Sequence, residues 1–201
     1  KLINEKSKVS SHYFIKRNGE SILMVPDLYI AWHAGVSKWK KFSSLNKHSV
    51  GIEISNRGHG NGYHQFSKKQ IQSLIRLSKS IIKKYKVKKC NILGHSDIAY
   101  NRKKDPGEKF PWKLFAKYKI GIWHNLKKNK LINQRRLKLT NNEDKIFIKT
   151  LSKIGYFVEK KSILKRKNLI IAFQRRFRSE LINGKSDREC LIIANKLSKL
   201  S

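Results

Sequence analysis

The sequence is poor in acidic residues and cysteine, and it lacks long apolar runs. Asp and Glu number 13 against 47 Lys and Arg in 201 residues, which gives a formal net charge of +34. The two cysteines, Cys90 and Cys190, specify no disulfide framework, and neither lies in a metal-binding spacing. No apolar run approaches the length that a membrane-spanning helix requires. The hydrophobic share of 39% nevertheless permits a real core, which excludes a disordered chain.

Methionine is also scarce. The single methionine, Met24, lies inside the chain, so we expect that Lys1 is not a translation start. We expect the natural beginning of the protein, with any signal peptide or lipid anchor, to precede Lys1. The length suits one medium domain and a small one.

The excess of positive charge favours polyanionic partners, either nucleic acid or an anionic cell-envelope polymer. The basic residues are spread along the chain, and Lys, Ile and Asn all use A/T-rich codons, so codon bias is an equal alternative. No nucleic-acid-binding motif accompanies the charge. We therefore expect no nucleic-acid partner. Binding to nucleic acid would show a steep salt dependence.

The stretch CNILGHSDIAYNRKKDPGEKFPW contains candidate site residues. Its apolar start, Cys90–Leu93, ends at a glycine, which predicts a buried strand that opens into a loop at His95. Asp105 follows ten positions later, and an imidazole with a carboxylate suits zinc when a third protein ligand leaves one position for water. Lys103 would share a face with Asp105 in an extended segment, where its charge could stabilise an oxyanion. A capped loop with a solvated lysine is the alternative.

Two earlier stretches carry further candidates. Trp32 and His33 lie among small residues, where they offer stacking and hydrogen bonding to a substrate; a histidine satisfied within a turn is the alternative. Ser49–Ser55 alternates like a strand and would present Glu53 to a cavity or to water, with an exposed glutamate on an edge strand as the alternative. A glycine-rich loop follows from Asn56 and could border a cleft.

Several elements are predicted by local patterns. Residues 9–25 alternate around Asn18-Gly19, which predicts a β-hairpin. Ser67 and Gln70 form a capping-box pattern before an amphipathic helix that runs to Tyr85. Residues 127–138 resemble a linker in composition. Three amphipathic helices are predicted beyond it: Asn141–Ile154, Leu164–Phe177 and Asp187–Leu200.

Four stretches, in this order, resemble the zinc-dependent N-acetylmuramoyl-L-alanine amidases: VSSHYFIKRNGE, AWHAGVSKW, NKHSVGIEISN and HSDIAYNRKKDPGEKFPW. This bacterial family is related to phage amidases and to animal peptidoglycan recognition proteins, and the resemblance covers Val9 to Trp112. It implies an α/β fold with a mixed sheet flanked by helices. It also implies hydrolysis of the amide between the muramoyl lactyl group and L-alanine in peptidoglycan or muropeptides. A non-catalytic peptidoglycan-recognition protein is the alternative, because some relatives keep the fold and lose the metal.

The resemblance also assigns roles to residues. His95 and Asp105 resemble zinc ligands, and the third ligand is expected to be a histidine upstream of Lys1, with His33 as the local substitute. Glu53 resembles the catalytic glutamate that takes a proton from the zinc-bound water and gives it to the leaving amine. The other candidates are Lys103 for the oxyanion and Trp32, His33 and Asn56 for substrate binding.

The C-terminal segment resembles a three-helix peptidoglycan-binding module that often follows amidases. Ala172-Phe173-Gln174, Asn183-Gly184 and Asp187 carry this match, and a generic basic helical bundle is the alternative. We therefore expect an amidase domain over residues 1–123, a linker over 124–138 and a peptidoglycan-binding-like domain over 139–201. We also expect a monomer in the bacterial cell envelope or periplasm, with the cytoplasm as the alternative.

Overall fold

The computed structural model describes residues 9–159 and 162–201, which fall into two compact units. The first unit extends to Val87 and the second begins at Lys88. The predicted domain boundaries at residues 123 and 139 stay a prediction. Within the described ranges, no helix has both the length and the apolar character needed to span a bilayer.

The first unit is built on a small mixed sheet. Strand β1 (Tyr13–Ile15) pairs with β2 (Ser21–Leu23) in antiparallel and with β5 (Ile52–Ile54) in parallel orientation. Phe14 lies opposite both Ile22 and Glu53. This confirms the predicted mixed sheet. The elements of this unit are β1 (Tyr13–Ile15), β2 (Ser21–Leu23), β3 (Lys38–Trp39), β4 (Phe42–Ser43), β5 (Ile52–Ile54) and helix α1 (Lys68–Tyr85).

Local signals determine the ends of these elements. The β1–β2 hairpin turns at Asn18-Gly19 as predicted, with Gly19 at φ 90° and the Asn18 side chain accepting from the Glu20 amide at 3.0 Å. Helix α1 begins with the predicted capping box of Ser67 and Gln70. The Gln70 side chain also donates to the Ser55 carbonyl at 2.8 Å, which fixes the start of α1 beside the end of β5.

The second unit is helical over the residues that the structure describes. Its helices are α2 (His95–Ile98), α3 (Trp112–Lys117), α4 (Lys128–Ile132), α5 (Asn141–Ile154), α6 (Ile163–Phe177) and α7 (Arg188–Leu197). The last three match the predicted amphipathic helices to within a few residues. Their apolar faces share one core, whose side chains at most 1% exposed include Phe147, Leu151, Leu169, Phe173, Ile193 and Leu197.

The predicted strand at Cys90–Leu93 is wrong. Lys89–Asn91 forms a 3-10 turn and Ile92 follows in an extended conformation. The Ile92 carbonyl accepts from the Arg176 guanidinium at 2.8 Å instead of from a neighbouring strand. This partly buried backbone acceptor is therefore satisfied by a side chain that no local pattern reveals.

The segment predicted as a linker is bound to the start of α7. It contains α4, and Arg135 makes two hydrogen bonds of 2.6 and 2.8 Å to the Glu189 carboxylate. Arg178, only 1% exposed, pairs with Asp187 at 2.6 Å and with Glu189 at 3.3 Å. Arg135 thus holds the segment against the start of α7, and Arg178 holds the end of α6 against the same place.

Candidate functional site

His95 and Asp105 are brought together. His95 is the first residue of the one-turn helix α2, rather than the start of a loop, and its side chain is largely buried. Its Nδ1 lies 3.0 Å from Oδ2 of Asp105, and the Ser96 amide donates to the Asp105 carbonyl at 2.9 Å. The loop between them thus returns as predicted. The two side chains form one pair of candidate metal ligands at the surface of the second unit.

Close packing at Gly94 permits this return. A Cβ atom added to Gly94 would lie 2.7 Å from Cδ of Pro106 and 3.2 Å from the Trp112 ring. Since real Cβ atoms do not approach neighbours so closely, only glycine lets the Asp105-Pro106 segment pass beside the start of α2.

The electrostatic environment keeps Asp105 ionised. Burial alone would raise the pKa of its carboxyl group, but the hydrogen bond and electrostatic interaction with His95 and the positive charge of Lys103 hold that pKa below its ordinary value. The charge of Lys103 therefore acts on this carboxylate, in agreement with its predicted proximity to Asp105. An ionised carboxylate and an imidazole are suitable zinc donors.

Glu53 lies in the first unit. It is the central residue of β5, and its side chain is exposed between the half-buried Ile52 and Ile54. The predicted strand is thus observed, and it presents the carboxylate as the alternation predicted.

His33 is packed against the start of β5. Its Nδ1 donates to the Ala31 carbonyl at 3.0 Å, and its Nε2 lies 3.0 Å from the Ser49 hydroxyl. A Cβ atom on Gly51 would lie 2.2 Å from the His33 ring. The ring is therefore held in a slot that only glycine at position 51 leaves open.

The remaining predicted substrate residues lie in the same unit. Trp32 is 62% exposed, and its backbone pairs with Ser10 through both its amide and its carbonyl. Asn56 donates from its side chain to the His64 carbonyl at 3.0 Å and accepts from the Gly58 amide at 3.1 Å. Trp32 thus presents an aromatic face to solvent, while Asn56 shapes the glycine-rich loop.

Sequence reasoning assigned no role to His12, which organises this region. His12 is 1% exposed, and its Nδ1 accepts from the Gly51 amide at 3.0 Å. The other ring nitrogen donates to the Tyr29 carbonyl at 3.0 Å. His12 therefore connects the start of β5 to the segment that leads to Trp32. No sequence pattern indicates this bridge.

Sequence reasoning also missed Asp97, which lies two residues after His95. Its Oδ2 accepts from the Gly94 amide at 2.7 Å, and the side chain is 1% exposed. An acidic residue at the third position of a helix often binds the backbone at the helix start. That signal was present in the HSD triplet.

The expected third ligand, a histidine upstream of Lys1, stays a prediction. Among residues 9–159 and 162–201, no group of three or more His, Cys, Asp or Glu side chains is arranged to hold a metal ion. His33 is bound to Ala31 and Ser49, so its role as a substitute ligand stays a prediction. The described chain thus presents two donors of the expected set.

Comparison with known proteins decides the family. A profile of the N-acetylmuramoyl-L-alanine amidase family, Amidase_2, matches residues 2–108. AmiD of Escherichia coli (strain K12), an N-acetylmuramoyl-L-alanine amidase, is 36% identical over 203 residues, which covers 94% of this chain and 74% of AmiD. The chain belongs to this amidase family. It is an enzyme that hydrolyses the N-acetylmuramoyl-L-alanine amide, and members of the family are typically zinc-dependent.

Solved amidase structures show the same fold. AmiD of E. coli in complex with the substrate anhydro-N-acetylmuramic acid-L-Ala-D-γ-Glu-L-Lys superposes with a TM-score of 0.85 at 34% identity, over 98% of this chain and 81% of AmiD. AmpDh3 of Pseudomonas aeruginosa gives a TM-score of 0.83 at 31% identity, over 95% of this chain and 82% of AmpDh3. The likeness extends over the C-terminal helices as well as the amidase motifs.

A second group of relatives matches a shorter part. The 1,6-anhydro-N-acetylmuramyl-L-alanine amidase AmpD of E. coli (strain K12) is 38% identical over 108 residues, which covers 54% of this chain and 57% of AmpD. The names of these relatives specify amide hydrolysis on anhydromuramyl substrates for those proteins.

Proposed function

We propose that this amidase uses a zinc ion bound by His95, Asp105 and a third ligand outside the chain. The observation that carries the proposal is the 3.0 Å approach of His95 Nδ1 to Asp105 Oδ2. Two ligands that lie about 2.0–2.2 Å from a tetrahedral zinc ion are roughly 3.3–3.6 Å apart, so the pair needs to separate only slightly to fit two corners of such a site. A zinc ion supplies a Lewis acid that polarises the scissile carbonyl and lowers the pKa of bound water.

The residues of the chain supply the proton transfer and the charge stabilisation. Glu53 takes a proton from the attacking water and returns it to the amine that leaves with L-alanine. Its exposed position on β5 keeps the carboxylate accessible for both transfers. Lys103, whose charge already acts on Asp105, stabilises the oxyanion that forms when the amide carbonyl is attacked.

Substrate binding is assigned to Trp32, His33 and Asn56. The exposed indole of Trp32 offers a flat apolar face to a sugar or peptide, and the His33 ring, fixed by Ala31 and Ser49, offers a partly exposed aromatic surface. The solved AmiD and AmpDh3 complexes contain anhydromuramyl peptides. We therefore propose soluble anhydro-muropeptides as substrates, with intact peptidoglycan as a second substrate form.

The place of action follows from the substrate. Peptidoglycan belongs to the bacterial cell envelope, so we propose the envelope or periplasm as the compartment, with the cytoplasm as the alternative for soluble fragments. The strongly positive chain suits an anionic envelope polymer as partner. The protein is proposed to act as a monomer.

Removal of either donor tests the metal site. In the full-length protein, His95→Ala and Asp105→Ala are expected to lose bound zinc and hydrolysis of an anhydromuramyl tripeptide, while circular dichroism shows a folded chain. The metal binds a preformed surface pair, so the fold does not depend on it.

A histidine outside the site provides the control. His48 is exposed and stacks on Phe42, and His48→Ala should keep both zinc and turnover. Elemental analysis measures the zinc. Full zinc occupancy in His95→Ala would remove His95 from the ligand set.

A further inference from the structure

A buried polar group lies two residues after His95 in the sequence. The Asp97 carboxylate, 1% exposed, accepts from the Tyr156 hydroxyl at 2.7 Å through Oδ1, and from the Arg176 guanidinium and the Gly94 amide through Oδ2. Tyr156 and Arg176 are only 2% and 4% exposed. Two of the three partners of this carboxylate therefore come from the C-terminal helical region.

Arg176 binds the chain on both sides of His95. One guanidinium nitrogen pairs with Asp97, two residues after His95, and the other donates at 2.8 Å to the carbonyl of Ile92, three residues before it. The guanidinium plane also lies 4.1 Å from the centre of the Trp112 ring. A planar group with several donors in fixed directions holds both attachment points at a constant separation.

The loop between the two zinc donors is fixed from the same side. The Tyr100 hydroxyl donates to the Phe157 carbonyl at 2.9 Å, one residue after Tyr156. Burial, and then the charge of Glu159, raises the pKa of Tyr100 to about 12, so this hydroxyl remains a donor at neutral pH. The C-terminal region thus contacts the segment before His95, helix α2 and the loop that returns to Asp105.

We propose that Asp97, Arg176 and Tyr156 are positioning residues for the zinc ligand His95, and that the C-terminal helices support the metal site. This inference rests on the proposed zinc site. Metal ligands bind strongly when the groups around them fix their orientation before the metal arrives, and loss of such a supporting group typically lowers affinity or activity by about 10- to 100-fold.

Arg178 supplies the matched control. It is also a buried arginine at the end of α6, at 1% exposure, and it pairs with Asp187 and Glu189, which lie at the start of α7. Removal of its charge disrupts a buried ion pair of the same kind without breaking a bond to α2. A role in stability alone predicts equal consequences for Arg176→Met and Arg178→Met.

The experiment measures metal binding and catalysis in folded full-length protein, below the melting temperature of each variant. Zinc affinity is measured by competition with a chelator, ligand geometry by the absorption spectrum of the Co²⁺ form, and kcat and KM with an anhydromuramyl tripeptide. Arg176→Met and Tyr156→Phe are expected to bind zinc about 10-fold or more weakly, to change the Co²⁺ spectrum and to lower kcat with little change in KM. Arg178→Met is expected to lower Tm while zinc affinity and spectrum stay at wild-type values.

Two results would overturn the inference. One is a wild-type zinc affinity and Co²⁺ spectrum in Tyr156→Phe, and the other is a loss of zinc affinity in Arg178→Met equal to that in Arg176→Met. If Arg176→Met does not fold, Tyr156→Phe decides, because it removes a single oxygen from the group. Wild type and His95→Ala are measured in parallel. Wild-type protein without zinc affinity would refute the proposed function and this inference together, whereas zinc binding that requires His95 but not Tyr156 or Arg176 would refute the inference alone.

Discussion

At the scale of single residues, the two carboxylates proposed for catalysis have different environments. Asp105 is held ionised beside a histidine and a lysine, which suits a metal ligand. Glu53 is exposed on β5. A general base must both accept and release a proton, so an accessible carboxylate outside the donor pair suits that role.

Substitution of Glu53 separates proton transfer from metal binding. Glu53→Gln keeps the size of the side chain but cannot accept a proton, so turnover of an anhydromuramyl tripeptide should fall by about 10² or more while zinc stays bound. Glu20→Gln, which changes an exposed glutamate on the β1–β2 hairpin, is the control and should keep wild-type turnover. Wild-type turnover in Glu53→Gln would place the base elsewhere.

One buried histidine makes stability depend on pH. His124 is 5% exposed, and burial lowers its pKa to about 4, although a hydrogen bond to the Phe177 backbone and the charges of Glu180 and Glu189 act in the opposite direction. Its Nδ1 accepts from the Leu126 amide at 3.1 Å, so the folded state holds the neutral ring.

This histidine should destabilise the protein in acid. Because its pKa is about 4 when folded and about 6.5 when unfolded, the unfolded chain binds more protons between these values. Stability is therefore complete above about pH 6.5 and is lost as the pH falls towards 4, by up to about 3 kcal/mol. The free energy of unfolding, measured by urea denaturation at pH 7 and pH 4.5, should fall less in His124→Asn than in wild type. Equal decreases in both proteins would contradict this assignment.

At the scale of secondary-structure elements, the sequence predicted those turns and helices that are determined by residues close together in the chain. The hairpin turn, the cap of α1 and the helices α5, α6 and α7 all follow from turn residues, capping residues and apolar spacing within a few positions. The proximity of His95 to Asp105 was also predicted, because the intervening loop is long enough to bring Asp105 back.

What the sequence did not predict depends on partners far along the chain. The Cys90–Leu93 segment has strand-like residues, but the Ile92 carbonyl is bound by Arg176, 84 positions later. The same arginine pairs with Asp97, and His12 reaches Gly51, 39 positions away. Periodicity and spacing carry no information on such pairs, so these positioning contacts appear only in the folded structure.

The close contact between Gly51, at the start of β5, and the His33 ring can be tested by substitution. In Gly51→Ala the new methyl group would lie 2.2 Å from the His33 ring, so the ring must leave its slot. We expect a loss of about 1–3 kcal/mol in unfolding free energy, as for other overpacked sites, and a higher KM because His33 is a proposed substrate residue. In the control Gly60→Ala the added atom meets nothing within 4 Å, and both values should stay near wild type. An unchanged KM in Gly51→Ala would argue against substrate binding by His33.

At the scale of the whole molecule, the excess of positive charge and the buried ion pairs have different effects. The net charge of +34 favours adsorption to anionic polymers without any specific pocket. The buried pairs of Arg176 with Asp97 and of Arg178 with Asp187 instead hold helices α2, α6 and α7 in fixed positions. The C-terminal helices can therefore serve the metal site whether or not they also bind peptidoglycan.

Truncation distinguishes the two roles of these helices. A chain that ends at Lys138 lacks Tyr156 and Arg176, so Asp97 loses two of its three hydrogen-bond partners. Loss of one partner of a buried ion pair typically lowers the free energy of unfolding by about 3–5 kcal/mol. We expect this truncated protein to lose zinc and the hydrolysis of soluble anhydromuramyl tripeptide, whereas a module that only binds the wall would leave that reaction intact. Sacculus pull-down is compared at low and high salt, because attraction due to net charge is screened over about 10 Å at 0.1 M salt. Wild-type hydrolysis of the soluble peptide by the truncated chain would show that the C-terminal helices do not support the site. If the truncated chain then lost sacculus binding only at high salt, these helices would be assigned to specific wall binding.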